Sequence, residues 1–300
     1  MELHQIRYMV AVAETENFTR AAERCNISQP SLSQQIINLE RELGHKLFHR
    51  LGRRAVLTEA GITFLARARR ILFEVDDAAR EIRDNPEIER TITIGAIATV
   101  APYLLPPVLA LCRARLPHLQ INVLEDFQND LTTAVLEGEL DLALVTQPVI
   151  KDQRLSVESL FSEPLMLVVG KNHPLASKKI VTVTDLQTET FIMLGTSSTL
   201  AAQVQRFCGD HNFEPKIGYR CAQVTTAKAL IDLGVGIAIF PQVAVESSDR
   251  SRLVCRNLAG LAPSREIAVI RHLQRYQSRG AEQFLTLLRE HTKKPVIAAG

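Results

Sequence analysis

The sequence predicts a three-part chain of α and α/β structure. An N-terminal winged helix-turn-helix leads into a long linker helix and then a C-terminal α/β domain of two lobes. Three observations predict it. A helix with a prescribed start, Ser28 to Leu43, follows a short helix across a tight turn. A four-three repeat of apolar residues runs from Gly61 to Ile82. From residue 91 onward, short apolar runs alternate with helix-period segments. The boundaries that follow are 1–58, 59–89 and 90–300, with lobe I at 90–161 and 266–300 and lobe II at 162–265.

The N-terminal elements can be justified in turn. Leu3, Ile6, Val10 and Ala13 share one face of a first helix. A second, short helix covers 17–24, with Asn17 or Thr19 as its cap, and small Ala21 and Ala22 allow a close crossing. Cys25-Asn26-Ile27 connects it to the third helix. Ser28 can cap that helix's free N–H groups, and Pro30 lies in the first turn, where a missing N–H costs little. Leu32, Ile36, Leu39 and Leu43 form its apolar stripe, and Gly44 stops it. Its other edge carries Gln29, Ser31, Ser33 and Gln34. Short side chains that both donate and accept suit base edges in the major groove of double-stranded DNA. Alone, the same face reads more readily as a solvated polar surface, and the elements on either side reverse that reading.

Residues 46–58 read as a β-hairpin wing. Lys46, Arg50, Arg53 and Arg54 cluster there with no acid among them. Directly after a helix-turn-helix, such a cluster suits phosphates or the minor groove. Thr58 caps a helix over roughly 59–84, whose seam is Gly61, Leu65, Ala68, Leu72, Val75, Ala79 and Ile82. The opposite face is charged, so the seam predicts a dimerisation and linker helix, with packing on its own domain as the alternative. Asp84-Asn85-Pro86 ends it.

Beyond residue 90 the strand-like runs are 92–97, 119–124, 141–145, 165–170, 191–194, 217–220, 236–241 and 265–270. Helix-period segments separate most of them, which signals parallel sheet. The chain is expected to cross between lobes near 160–164 and 263–266. A cleft at the carboxyl ends of such strands is where a small ligand binds. Three turns carry the chemistry for it. Thr99, flanked by Ala98 and Val100, precedes one helix; Thr196, Ser197, Ser198 and Thr199 open another; Thr225 starts a third. Helix N-termini with hydroxyls suit a carboxylate or other small anion, and ordinary capping is the alternative for each residue. Gln128 and Thr146 are candidates for the cleft rim.

Composition narrows the classes. The chain has 300 residues, 46% of them apolar, and a net charge of +2, so nucleic-acid binding must come from local charge clusters. No apolar run reaches the length of a membrane span, and the N-terminus lacks a basic n-region, which predicts a cytoplasmic protein without membrane contact. Five scattered cysteines without CxxC spacing argue against a metal site or disulfide scaffold. Cys208 and Cys221 read as a redox pair or as small buried hydrophobes. Gly234-Val235-Gly236 lies between a helix and a strand, no Gly-x-Ser-x-Gly elbow or phosphate loop is present, and no cofactor or enzymatic activity is expected. A cytoplasmic solute-binding protein is the alternative from another class.

Several motifs together resemble one family. Phe18-Thr19-Arg20-Ala21-Ala22, Ser28-Gln29-Pro30-Ser31-Leu32-Ser33, Leu39-Glu40-Arg41-Glu42-Leu43-Gly44 and Leu47-Phe48-His49-Arg50 with Leu57-Thr58-Glu59-Ala60-Gly61 are similar to the N-terminal signature of LysR-type transcriptional regulators. Asp141-Leu142-Ala143 and 234–241 fit that family's effector domain. The resemblance implies a periplasmic-binding-protein-like fold for the two lobes. It also implies a homo-oligomer, commonly a homotetramer, on an interrupted palindromic operator, with a small effector and RNA polymerase as further partners. Gln29, Pro30, Ser31, Ser33 and Gln34 would enter the major groove, with Arg20, Arg50, Arg53 and Arg54 beside them.

A narrower likeness concerns the family's peroxide-sensing branch, through 94–95, 99–106 and Phe207-Cys208. Cys208 falls where that branch has its resolving cysteine. The peroxidatic cysteine would stand at position 199, where this chain has Thr199, preceded by Ser198 in place of histidine. Without the thiolate there is no first oxidation. Peroxide sensing by that route is rejected, and Cys208 is left as a candidate for other thiol chemistry.

Overall fold

The computed structural model describes residues 1–51, 54–83, 90–147, 151–179, 181–258 and 263–293. Arg53 at the wing tip and the expected helix end Asp84-Asn85-Pro86 lie outside the described residues. The chain divides into two compact units, Met1–Pro86 with Glu137–Glu139, and Glu87–Leu136 with Leu140–Gly300.

In the first unit, α1 (Leu3–Thr15), α2 (Phe18–Arg24) and α3 (Gln29–Leu43) are followed by β1 (Phe48–Leu51), β2 (Arg54–Leu57) and α4 (Glu59–Arg83). Local chemistry sets the helix ends. Asn17 Oδ1 accepts from the N–H groups of Thr19 and Arg20 at 2.8 and 3.1 Å, so Asn17 is the cap of α2. Ser28 Oγ accepts from Ser31 N, Pro30 sits in the first turn, and Gly44 leaves α3 at φ 72°. Leu32, Ile36 and Leu39 are fully buried against Met9 and Val12. Glu40 fastens the wing to α3. Buried to 6% exposure, it accepts from Leu47 N at 2.9 Å, Phe48 N at 3.3 Å and Lys46 Nζ at 2.8 Å. β1 and β2 pair antiparallel from Phe48 with Leu57 to Leu51 with Arg54. Gly61 lets α4 approach closely: a Cβ there would stand 2.1 Å from Leu47 O.

The seam expected along α4 divides. Ala68 is fully buried and Leu65 and Leu72 are partly buried against this unit's own core. Among the described residues of α4 the exposed large apolar side chains are Ile62, Ile71 and Val75, and the last seam residue, Ile82, lies outside the described side chains. The first half of the seam therefore serves its own domain, because α1 offers it a complementary face.

In the second unit, β3 (Arg90–Ala96), α5 (Ala101–Arg115), β4 (Leu119–Glu125), α6 (Gln128–Glu137) and β5 (Leu142–Thr146) begin lobe I. β6 (Leu155–Gly170) then runs through both lobes. Lobe II adds α7 (Val183–Gln187), β7 (Thr190–Leu194), α8 (Thr199–Asp210), β8 (Lys216–Cys221), α9 (Val224–Asp232), β9 (Ala238–Pro241) and β10 (Leu253–Arg256). β11 (Ser264–His272) and α10 (Arg279–Lys293) return to lobe I. One core gathers Ile92, Leu142, Leu144, Val269 and Phe284; the other gathers Val168, Phe191, Val204, Ile231 and Phe240.

The all-parallel expectation is corrected. β3 is parallel to β4 and β5, but β11 is antiparallel to β5 and β6, and β6 is antiparallel to β9 and β10. Among the described residues of lobe II, β7–β8 is the only parallel pair of named strands. For β11 the reason is the returning chain, which crosses back between lobes opposite in sense to β6. The stretch 155–164 of β6 escaped the sequence reading because its alternation breaks at Glu158-Ser159 and Leu160-Phe161 and runs into Pro164.

Candidate nucleic-acid interface and effector cleft

The polar edge of α3 is built as its sequence suggests. Gln29, Pro30, Ser31 and Gln34 are exposed and Ser33 is half-buried. Gln35, one residue on, is spent internally, accepting from Gln5 Nε2 at 3.0 Å. Gln34 Nε2 donates to Asn38 Oδ1 at 3.1 Å, which keeps its amide along the helix surface. Arg50 lies beside this edge. Its Nη2 donates to Ser33 Oγ at 2.9 Å, and its guanidinium carbon stands 4.5 Å over the Phe18 ring. The wing and the recognition edge thus form one surface. Arg20 is exposed on α2. Arg54 is also exposed, and its Nε and Nη2 both donate to Glu16 Oε2, so part of its charge is already matched.

In the second unit, the hydroxyl-bearing turns meet where β5 and β7 end. Gln128 Oε1 accepts from Thr146 N at 3.0 Å, and Thr146 Oγ1 lies 3.1 Å from both Gln128 Oε1 and Thr199 Oγ1. Thr146 has one hydroxyl proton, so Thr199 completes the pair by donating or accepting. This contact joins the lobes. Thr146 and Gln128 are both buried. Thr196 and Ser197 are exposed in the turn before α8, and Ser198 is its N-cap but makes no side-chain capping bond. Gly195 N donates to Cys221 O at 2.9 Å, which sets this turn beside the one that opens α9. Thr225 is exposed there, its Oγ1 3.5 Å from Gln223 Oε1. Ala98 is exposed, whereas Val100, the N-cap of α5, is buried.

Thr99 differs from the expectation of an open hydroxyl. It is 4% exposed and bonded to Arg265, whose Nη1 donates to Thr99 Oγ1 at 2.7 Å and whose Nη2 donates to Thr99 O at 2.9 Å. The same guanidinium donates through Nε to Glu163 Oε1 at 2.7 Å. Burial holds the Arg265 guanidinium below its ordinary pKa and pushes the Glu163 carboxyl up, so desolvation outweighs their attraction for both partners. Tyr103 of α5 packs against the core of lobe II, and burial together with Glu246 and Asp249 pushes its hydroxyl up to about 12. Arg265, Glu163 and Tyr103 were not found from sequence. Their partners are far away in the chain, and no local pattern marks them.

Cys208 is fully buried, and burial pushes its thiol up to about 12. A thiol kept protonated is the opposite of a sensing thiolate. Among the described residues no His, Cys, Asp or Glu group could hold a metal ion, and no helix is long and apolar enough to cross a membrane.

Comparison with known proteins agrees with this architecture. Residues 3–62 match the bacterial regulatory helix-turn-helix protein model of the lysR family, and residues 86–293 match the LysR substrate binding domain. The Hca operon transcriptional activator HcaR of Escherichia coli is 35% identical over 266 residues, covering 88% of this chain and 89% of its own. The DNA-binding transcriptional dual regulator OxyR of the same organism is 32% identical over 247 residues, covering 82% and 80%. A full-length OxyR from Pseudomonas aeruginosa, with aspartate in place of a cysteine, superimposes with a TM-score of 0.79 at 24% identity, over 99% of this chain and 96% of that one. The chain belongs to the LysR family of DNA-binding transcriptional regulators, with that family's effector-binding domain following the helix-turn-helix.

Proposed function

We propose that this regulator reads its operator through Gln29, Ser31, Ser33 and Gln34 in the major groove, with Pro30 setting the first turn of the reading helix. Arg20, Arg50, Arg53 and Arg54 hold phosphates or the minor groove. The observation that carries this reading is the Arg50–Ser33 bond, which keeps a wing cation beside the polar edge of α3 before DNA arrives. A cation already in place pays less ordering entropy on binding. The site acts as a homotetramer on an interrupted palindrome in the cytoplasm, in contact with RNA polymerase and without catalysing a reaction.

The signal is a small anionic effector held by Ser197, Ser198 and Thr199 opposite Thr225, above a floor of Thr99, Gln128 and Thr146. The Thr146–Thr199 contact supports this, because a ligand at that point displaces or strengthens a bond between lobes. Its effect is a population shift between lobe angles, transmitted to the spacing of the DNA-binding heads.

A gel-shift titration on the DNA upstream of its own gene tests the base-reading role. Gln34→Ala is expected to lower the ratio of specific to random-sequence affinity by about 1–3 kcal/mol per lost base contact. Arg50→Ala should weaken both duplexes alike and flatten the dependence on salt. Equal losses on the two duplexes for Gln34→Ala would falsify the assignment.

A further inference from the structure

The second unit contains a groove of about 810 Å³ between α8 and the strands that cross between lobes. Its lining includes Gln203, Arg206 and Phe207 of α8, Leu165 of β6, Pro263 before β11, and Gln147 after β5. Thr99, Ser197–Thr199 and Thr225 do not line it, but Arg265, which bonds Thr99 from the other side, does. The volume lies in the range of small-molecule pockets, roughly 300–1,000 Å³.

One buried acceptor in this groove calls for a donor, and an exposed cation beside it can take an anion. Gln203 Nε2 donates to Gln147 O at 3.3 Å, and this leaves Gln203 Oε1 buried with no hydrogen-bond partner among the described residues. A buried acceptor left unmet costs about 1–3 kcal/mol, so it calls for a donor. Arg206, three residues on and therefore adjacent on the same helix face, forms no ion pair among the described residues. Asp210 and Glu266 also line the groove and give it negative charge. Phe207, Leu165 and Pro263 supply an apolar wall. His211 is oriented by its Nδ1, which donates to Phe207 O at 2.7 Å, and its ring stacks 4.7 Å from that of Phe207.

We propose that this groove is a second small-molecule site that takes a free α-amino acid with an apolar side chain. The carboxylate pairs with Arg206, the ammonium donates to Gln203 Oε1 in a groove that Asp210 and Glu266 also line, and the side chain rests on Phe207, Leu165 and Pro263. A plain carboxylate would leave the acceptor unmet, and a plain amine would leave Arg206 without its anion. Gln147 belongs to lobe I and α8 to lobe II, so an occupant touches both and can bias their angle.

The test is a calorimetric titration of the full-length protein with L-leucine and L-phenylalanine. Their truncated counterparts are isocaproate and hydrocinnamate, which lack the amine, and isoamylamine and phenethylamine, which lack the carboxylate. At least one amino acid should bind about tenfold or more tightly than either truncation, the size of one charge-assisted contact. Arg206→Ala should abolish the titration and Arg206→Lys restore part of it. Gln203→Leu should narrow the gap between amino acid and acid, and Thr225→Ala should leave the titration unchanged. The wild-type comparison needs no variant, so a misfolded variant does not spare the proposal. Equal binding of an amino acid and its acid, no binding by either amino acid, or loss in Thr225→Ala but not in Arg206→Ala overturns it. The gel shift with operator DNA is read separately, so failure here leaves the DNA-reading proposal standing.

Discussion

Arg265 lies 102 residues from Glu163 in sequence and 166 from Thr99, yet it bonds both. The side chains of Arg265 and Glu163 are 0% and 7% exposed, which places a full ion pair at the strand crossing. Removing one partner strands the other charge, whereas replacing both by apolar groups removes the desolvation cost as well. Glu163→Leu or Arg265→Met alone should therefore cost about 3–5 kcal/mol, and the double variant clearly less than the sum. Urea unfolding of the four proteins measures the cycle, and additive losses would refute the coupling. A second pair responds to pH. Arg289 grips Glu158 through Nε and Nη2 at 2.6 and 2.7 Å and holds its carboxyl below the ordinary 4.5. A lowered folded value means the stabilisation is present above 4.5 and is lost as pH falls through the folded value. The stability gap between the wild type and Glu158→Gln should thus close as melting is followed from neutral pH to below 4.5. Neither pair was visible in the sequence, because nothing near Arg265 or Arg289 in the chain names its partner.

At the scale of elements, what could be read was local. Asn17, Ser28, Pro30 and Gly44 act on N–H and C=O groups within a turn, so the ends of α2 and α3 followed from residue type and spacing alone. The polar edge of α3 was legible for the same reason, since Leu32, Ile36 and Leu39 fix which face is inside. What escaped depends on neighbours. The first half of β6 is half-exposed and polar on alternate residues, and only its pairing with β11 makes it a strand. Glu40 reads as one more charge on an amphipathic helix, but it holds two wing amides. Glu40→Ala should leave those amides unmet and lower stability by about 1–3 kcal/mol for each. Hydrogen exchange should show faster opening at Leu47 and Phe48 than in α1; unchanged protection there would count against the fastening role.

At the scale of the whole molecule, α4 presents Ile71 and Val75 at 36% and 38% exposure, one turn apart on a helix whose buried side already serves its own unit. An apolar stripe left outside after the domain's own core is filled invites a partner helix. Ile71→Lys with Val75→Lys should shift the protein toward a smaller assembly in light scattering coupled to gel filtration, while the circular dichroism of the helices is retained. An unchanged mass would move the association surface elsewhere. The heptad spacing was legible in the sequence, but it could not say which half turns inward, because that depends on the face α1 offers.

β6 is a single strand of 16 residues, antiparallel to β11 on one side of the lobe crossing and to β9 and β10 on the other. A register irregularity opposite Ile267 and Ala268 leaves one extra residue, Leu160, in β6 itself. The two lobes are therefore not hung on slack tethers. Any rotation of one against the other is a torsion of the same backbone, opposed by the ladders at both ends. Such a wire transmits torque over a small angle and stores little slack, so a ligand need not close a wide jaw to be felt. Through the order β6-β11-β5-β3, a small rotation of lobe II would reach the sheet of lobe I as a twist.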